Sequence, residues 1–287
     1  MSKIVVVGSL HYDIMLDAHH RPEKGETVMG TSCHYKFGGK GGNQAIAAAK
    51  AGATVTFAGA VGADEQGKFL LQTLKNAGVN CDSVEVITTV PSGMSVAITD
   101  TEGDYGAVIV SNANQHISCR TFRDDTFWQD VGMLILQNEV PEITNIHAAS
   151  EARQRGIPVL INAAPARQLS PELEKNINLL LVNAVEARDM SNITVDSLDT
   201  AVQAAEVLAR HFPQVVVTAG EQGVAWCEAG NTAKSLAAKK IALISTHGAG
   251  DCFTGVLSQA LIQQRSLEDA VILANDAAAR HVSQPRK

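Results

Sequence analysis

The amino-acid sequence predicts an α/β fold built on parallel strands, and three observations carry that expectation. Short β-branched runs such as residues 3–8 (KIVVVG) end in glycine and read as strands buried on both faces. Stretches of helical periodicity alternate with such runs along most of the chain. The loops that hold polar residues follow strands, which gathers them on one edge of a sheet. With 287 residues, 45% hydrophobic and 18% charged, the chain has enough apolar material for one large core.

Taken in order, residues 3–8 are the first strand. Asp13 follows its carboxyl end, where open α/β sheets place ligand contacts; a plain turn aspartate is the other reading. Residues 16–37 are polar and irregular, with Pro22, Gly25 and Gly30, and alternate only over 33–37. Then comes Gly38-Gly39-Lys40-Gly41-Gly42-Asn43-Gln44-Ala45. Four glycines around a lysine let the backbone approach a ligand closely, and Asn43 is placed to cap a helix over 44–50. Residues 54–60 read as a strand and 68–77 as an amphipathic helix. Residues 94–100 and 105–110, around a turn at 101–104, read as a β-hairpin that interrupts the βα pattern. Together with the earlier segment it predicts a small separate sheet, about residues 11–37 and 92–112, able to close over a site and exclude water.

Beyond the hairpin the alternation resumes. Strands are expected at 132–136, 158–162, 179–182 and 215–218, and helices at 143–155 and 197–211. Further strands are expected at 224–226, 232–235 and 240–244. One domain over 1–287 carrying a lid is the economical organisation.

Chemistry concentrates in residues 244–255. An apolar run there feeds a loop with Gly248, Ala249 and Gly250, and helical periodicity follows over 253–261. A strand, a glycine loop and a helix start leave backbone N–H groups unpaired and aim the helix dipole at the loop, which makes an anion site. Asp251 fits two readings, an acid that favours the helix start or a base beside a bound phosphate. Asn183 and Glu186, spaced i, i+3, suit either a capping box or water-mediated Mg²⁺ contact. Gly220 and Gly223 admit an adenine or make a turn.

Several classes are excluded. The formal net charge of −7 comes without a Lys/Arg-rich block, which disfavours nucleic acid. No apolar run approaches the ~18 residues of a membrane span. Met1-Ser2-Lys3-Ile4 enters a strand directly, so a cytoplasmic location is expected. Five scattered cysteines without a C-x-x-C pair read as reduced thiols, and Cys252 as a small packing residue. No H-E-x-x-H spacing exists for zinc, and the glycines meet neither the Walker A nor the G-x-G-x-x-G pattern, which counts against a nucleotide-linked dehydrogenase.

These motifs, in their order and spacing, resemble those of the ribokinase-like (PfkB-type) sugar kinases over essentially the whole chain. The 38–45 stretch is similar to the family's N-terminal glycine signature and Thr246-His247-Gly248-Ala249-Gly250-Asp251 to its C-terminal one. Asn183-x-x-Glu186 resembles the N-x-x-E magnesium motif, and Asn162-Ala163-Ala164-Pro165-Ala166-Arg167 the N-P-A-P-A-R stretch of ribokinases. The resemblance implies a three-layer fold, a mostly parallel central sheet flanked by helices with a β lid that often mediates homodimers. It implies MgATP-dependent phosphorylation of a primary hydroxyl. Asp251 would be the catalytic base, with Gly248, Ala249 and Gly250 as the anion hole. His11, Asp13, Gly38, Gly39, Lys40, Asn43 and Glu139 would face the sugar. Asn183, Thr218, Gly220, Gly223, Thr246, Gly248, Gly250 and Asn275 would hold the nucleotide, and Asn183 with Glu186 would reach Mg²⁺ through water.

The chain also departs from the pattern. His11 stands where ribokinases usually carry a sugar-contacting asparagine, which leaves a ribose-like pentose, a nucleoside and a modified hexose as acceptors. Ser245 replaces the first aspartate of the signature D-T-x-G-A-G-D, and the tail after Ser283 is short. Both changes fall on the site for an activating K⁺, so little response to K⁺ is expected. A sugar-binding regulator without catalysis is the remaining alternative, opposed by the intact Asp251.

Overall fold

The computed structural model describes residues 2–102, 105–239, 244 and 247–283. β1 (Lys3–Val7) leads into β2 (His11–Ala18) and β3 (Gly30–Gly38), then α1 (Lys40–Lys50), β4 (Val55–Gly62), α2 (Glu65–Asn76) and β5 (Asn80–Ile87). A hairpin of β6 (Met94–Thr99) and β7 (Tyr105–Val110) follows. The chain then alternates through β8 (Val131–Gln137), α3 (Glu142–Gln154), β9 (Val159–Asn162), α4 (Pro171–Glu174), β10 (Leu179–Asn183), α5 (Ala184–Ser191), α6 (Leu198–Leu208) and β11 (Gln214–Thr218). β12 (Gly223–Glu228) and β13 (Lys234–Ala237) precede α7 (Ala249–Ile262) and α8 (Leu267–Val282).

The strands form a nine-stranded sheet in the order β13-β12-β11-β10-β9-β8-β1-β4-β5. Its pairs from β5 to β11 are parallel, and β12 and β13 add antiparallel at one edge. Central strands are apolar on both faces, as parallel strands between helix layers must be. In β1, Ile4 and Val6 enter one core while Val5 and Val7 enter the other. The first core takes α1, α2, α7 and α8 through residues such as Ala48, Leu70, Leu257 and Val271. The second takes α3 to α6 through Ala149, Leu173, Ala187 and Ala205. Three layers result, with every parallel strand ending on the same edge.

β3-β2-β6-β7 form a separate four-stranded sheet, with β2 and β6 parallel and the outer pairs antiparallel. The expected hairpin and small sheet are therefore present. Residues 16–37, expected to be irregular apart from the alternation over 33–37, instead supply the end of β2 and all of β3 but Gly38, because the cross-strand ladder orders a polar segment whose own propensity is weak. β5 and α8 were not anticipated at all. α2 starts at Glu65, three residues before the expected 68, with Asp64 accepting the Gly67 amide. The expected strand over 240–244 lies outside the described residues except for Ile244, which stands in a bend. No described helix is long and apolar enough to cross a membrane.

Candidate active site

The carboxyl ends of β8 to β11 bring polar side chains to one level. Sheet register pairs Gln137 with Asn162 and Asn183 with Thr218. Asn162, Asn183 and Thr218 line a cavity of about 400 Å³, closed from the other side by Lys40 and by residues 248–251 at the start of α7.

The glycine stretch acts differently from its expected role. Gly39 has φ 92°, and a Cβ there would sit 2.7 Å from the Ser9 carbonyl oxygen. A Cβ on Gly41 would sit 2.6 Å from the Ser9 nitrogen, and one on Gly42 would strike Phe37 and Leu10. A Cβ on Gly38 would overlap the Asp13 carboxylate. The room these glycines leave is filled by protein, which lets α1 press its N-terminus against the loop after β1. The helix starts at Lys40, and Gly39 is its cap position. Asn43 is thus not a cap; its amide donates to the Gly39 carbonyl at 3.0 Å, and its side chain is free to hydrogen-bond Asp251.

Asp251 lies in the first turn of α7 and is held from α1. Gln44 Nε2 donates to its Oδ1 at 3.0 Å. Burial pushes the Asp251 carboxyl up to about 6, against the pull of Lys40, Gln44 and Asn43, while Glu139 adds a smaller upward push. Gln44 is fully buried, so α1 presents a fixed donor. Sequence reasoning missed Gln44 as a partner of Asp251, although it sits in the quoted glycine stretch.

The turn into α7 is the place where an anion site was expected. Gly248 is left-handed at φ 76° and the helix receives no side-chain cap. A Cβ on Gly250 would meet nothing within 4 Å. Thr246, expected among the nucleotide contacts, and Ser245 lie outside the described residues. Cys252 is half-buried, and burial raises its thiol pKa despite the helix start, which suits packing.

In the four-stranded sheet, Asp13 lies in β2, and register places it beside Ser95 of β6. Ser95 Oγ donates to Asp13 Oδ1 at 2.6 Å, and burial raises this carboxyl above its ordinary range, opposed by Ser95, His11 and His247. His11 is 3% exposed, and its Nε2 has no partner among the described residues. Glu139 Oε2 accepts from Ser9 Oγ at 2.5 Å and from the Lys40 amide at 2.8 Å, and stands 3.9 Å from His11 Nδ1. Glu139 therefore fastens the start of α1. Ser9 and Ser95 gave no signal in the sequence, because a single serine in a loop or strand carries none.

Asn183 and Glu186 form the capping box of α5. The Asn183 amide donates to Glu186 Oε2 at 2.7 Å and Asn183 Nδ2 to Oε1 at 2.8 Å, while Val185 and Glu186 amides donate to Asn183 Oδ1. Burial raises the Glu186 carboxyl, with Asn183 and Lys40 opposing. Both residues nonetheless line the cavity of Lys40 and the α7 start. No described group of three or more His, Cys, Asp or Glu stands together as a metal cage. Two oxygen-bearing side chains facing an anion hole fit a Mg²⁺ held through water and phosphate oxygens.

Of the other expected nucleotide contacts, Thr218 lines this cavity, whereas Gly220, Gly223 and Asn275 stand outside its lining. Gly220 is left-handed and open. A Cβ on Gly223 would sit 2.1 Å from the Leu236 carbonyl oxygen, so that glycine serves strand pairing rather than room for a base. Asn275 lies on α8 with its Nδ2 buried and unpartnered among the described residues.

Comparison with known proteins agrees with this architecture. The model of the pfkB family carbohydrate kinases matches residues 1–286. The ribokinase of Bacillus subtilis is 35% identical over 283 residues, covering 98% of this chain and 93% of that one. The deoxyribokinase of Salmonella typhi is 29% identical over 273 residues, covering 93% and 88%. The structure of Arabidopsis thaliana ribokinase complexed with ribose and ATP superposes with a TM-score of 0.91 at 28% identity, covering 100% of this chain and 94% of that one.

Proposed function

The chain belongs to the pfkB family of carbohydrate kinases, and on that premise we propose that it transfers the γ-phosphate of ATP to the primary hydroxyl of a ribose-like pentose, with Asp251 as general base. A phosphotransferase of this family needs a base, an anion hole and a water-poor cleft, and the observation that carries the reading is the setting of Asp251. Its carboxyl is buried at the mouth of an uncapped helix, held by Gln44 and Asn43, and shares a cavity with Lys40.

In this reading the acceptor lies between Asp13 and Asp251. Asp13, fixed by Ser95, accepts hydrogen bonds from ring hydroxyls. Asp251 takes the proton of the CH₂OH as its oxygen attacks phosphorus in line. The amides of Gly248, Ala249 and Gly250, with the positive end of the α7 dipole, stabilise the charge on the transferring phosphoryl. Lys40 neutralises charge between Asp251 and Glu186, both of which feel it. Asn183 and Glu186 would hold Mg²⁺ through water, and the ion supplies charge neutralisation and orientation of the phosphates. The four-stranded sheet closes over the acceptor as a lid that excludes water. A cytoplasmic site belongs to the same proposal, supported by consumption of ATP and by five free cysteines.

The test is ADP release with D-ribose, 2-deoxyribose, other pentoses, hexoses and nucleosides, followed by Asp251→Asn on the best acceptor. Loss of the base lowers kcat by about 10²–10⁴-fold. Near-wild-type turnover of Asp251→Asn would remove Asp251 from the role. No ADP with any acceptor would favour a sugar-binding regulator.

A further inference from the structure

We propose that His281, in the last turn of α8, is a positioning residue for phosphoryl transfer, bracing the turn that presents the amides of residues 248–250. This rests on the reading above for the role of those amides.

In the turn, Gly248 is left-handed, α7 has no side-chain cap, and the Cβ position of Gly250 faces open space. An N-terminal turn without a capping side chain leaves its amides free for an anion. Two hydrogen bonds join Ile244 and His247 to α8. At the near end the Ile244 amide donates to the Val282 carbonyl at 2.9 Å. At the far end His281 Nε2 stands 3.2 Å from the His247 carbonyl oxygen, and since a carbonyl only accepts, the ring donates. The same nitrogen lies 3.2 Å from where a Gly248 Cβ would stand, so the ring also rests against that residue.

The last turn of α8 is therefore bonded to Ile244 and to His247. His281 is not in the lining of the 400 Å³ cavity of Lys40, Asn183 and Glu186; it lines a larger cavity of about 1260 Å³ together with Asn43, Gly248 and Asp251, and its hydrogen bond runs to the backbone of the turn. Donors aimed at developing charge lose most of their effect when displaced by a fraction of an ångström. A side chain that fixes that backbone should affect the transferring group and leave acceptor binding alone.

His281 is exposed, so substitutions there are compatible with folding. The full-length protein is compared with His281→Leu, which keeps bulk and loses the donor, and His281→Gln, which keeps an N–H donor. Two readouts are taken, steady-state ADP release and the ratio of affinities for MgADP and a non-hydrolysable MgATP analogue by calorimetry. Loss of one such bond is expected to lower kcat by about fivefold in His281→Leu, with acceptor KM within about twofold. The preference for the triphosphate analogue falls by a similar factor, and His281→Gln restores both to within about twofold. Wild-type kcat and nucleotide preference in His281→Leu would overturn the proposal. So would His281→Gln as impaired as His281→Leu, or a defect confined to acceptor KM. If the wild-type chain turned over no acceptor, the kinase reading alone would fail, and the nucleotide ratio would still decide the brace.

Discussion

Asp251 is a carboxyl that the fold keeps from water and that two amide side chains of α1 steady. Because its pKa is raised to about 6, its ionised form is lost as pH falls through 6, and kcat/KM for the acceptor should fall about tenfold per unit below that point. A pH profile flat down to pH 5 would contradict the assignment. The same shift bears on stability with the opposite sign. A carboxyl whose folded pKa exceeds its unfolded value of 3.8 weakens the fold at high pH, and this cost is relieved as pH falls through about 6 toward 3.8. Asp251→Asn should therefore unfold later than wild type at pH 8, by about 1–3 kcal/mol, with the difference gone near pH 3.5. Denaturant titrations at the two pH values check it. On the proposed reading His11 faces the acceptor: a buried ring whose Nε2 has no partner among the described residues fills space that an asparagine would leave. His11→Asn should raise kcat/KM for D-ribose relative to other sugars by about tenfold. An unchanged ranking across the panel would show that the ring does not contact the acceptor.

At the scale of elements, α1 matters most, because Lys40, Asn43 and Gln44 all reach the site from its first turns. Its position depends on backbone contact through Gly39 and Gly41 and on Glu139 at its start. Gly41→Ala would force a Cβ against the backbone of Gly8 and Ser9, at 2.7 Å and 2.6 Å, with no flexible side chain able to yield. Overpacking of that kind costs about 1–3 kcal/mol, read from the urea midpoint, and it should lower kcat as well because Gln44 and Asn43 move with the helix. The clustering of glycines was legible in the sequence, but its purpose was not. A run of glycines looks the same whether a ligand or a neighbouring loop occupies the space. α8 was overlooked although Ser266 and Asp269 spell its capping motif, Ser266 Oγ accepting the Asp269 amide at 3.1 Å. That omission concealed His281, whose partner lies 34 positions earlier in the chain.

Across the whole molecule, the small sheet leaves an apolar edge uncovered. Val108, Ile109 and Val110 of β7 are 66%, 55% and 44% exposed, on an edge strand that a solitary chain would be expected to blunt. We propose a second copy of the chain as its cover, making a homodimer through the lid. Sedimentation of the wild-type protein should give a dimer at micromolar concentration, and Ile109→Lys a monomer. A wild-type monomer would leave the exposed edge without this explanation. In that dimer the lid would be tied to the partner, so Ile109→Lys should also raise acceptor KM severalfold.

By itself the sequence determined the α/β class and the hairpin, and it singled out the glycine turn before α7 and Asp251 as the candidate base. These depend on local periodicity and on residue types whose chemistry is the same wherever they stand. It also carried the Asn183 and Glu186 pair without choosing between cap and metal contact, and the structure shows the cap as formed within the cavity wall. Only the tertiary structure decided where β2 and β3 run, that the glycines seat α1, that Gln44 and Ser95 fix the two carboxylates, and that the end of α8 is bonded to the turn before α7. Each of these is a contact between residues far apart in the chain, where burial and geometry rather than residue type set the energy.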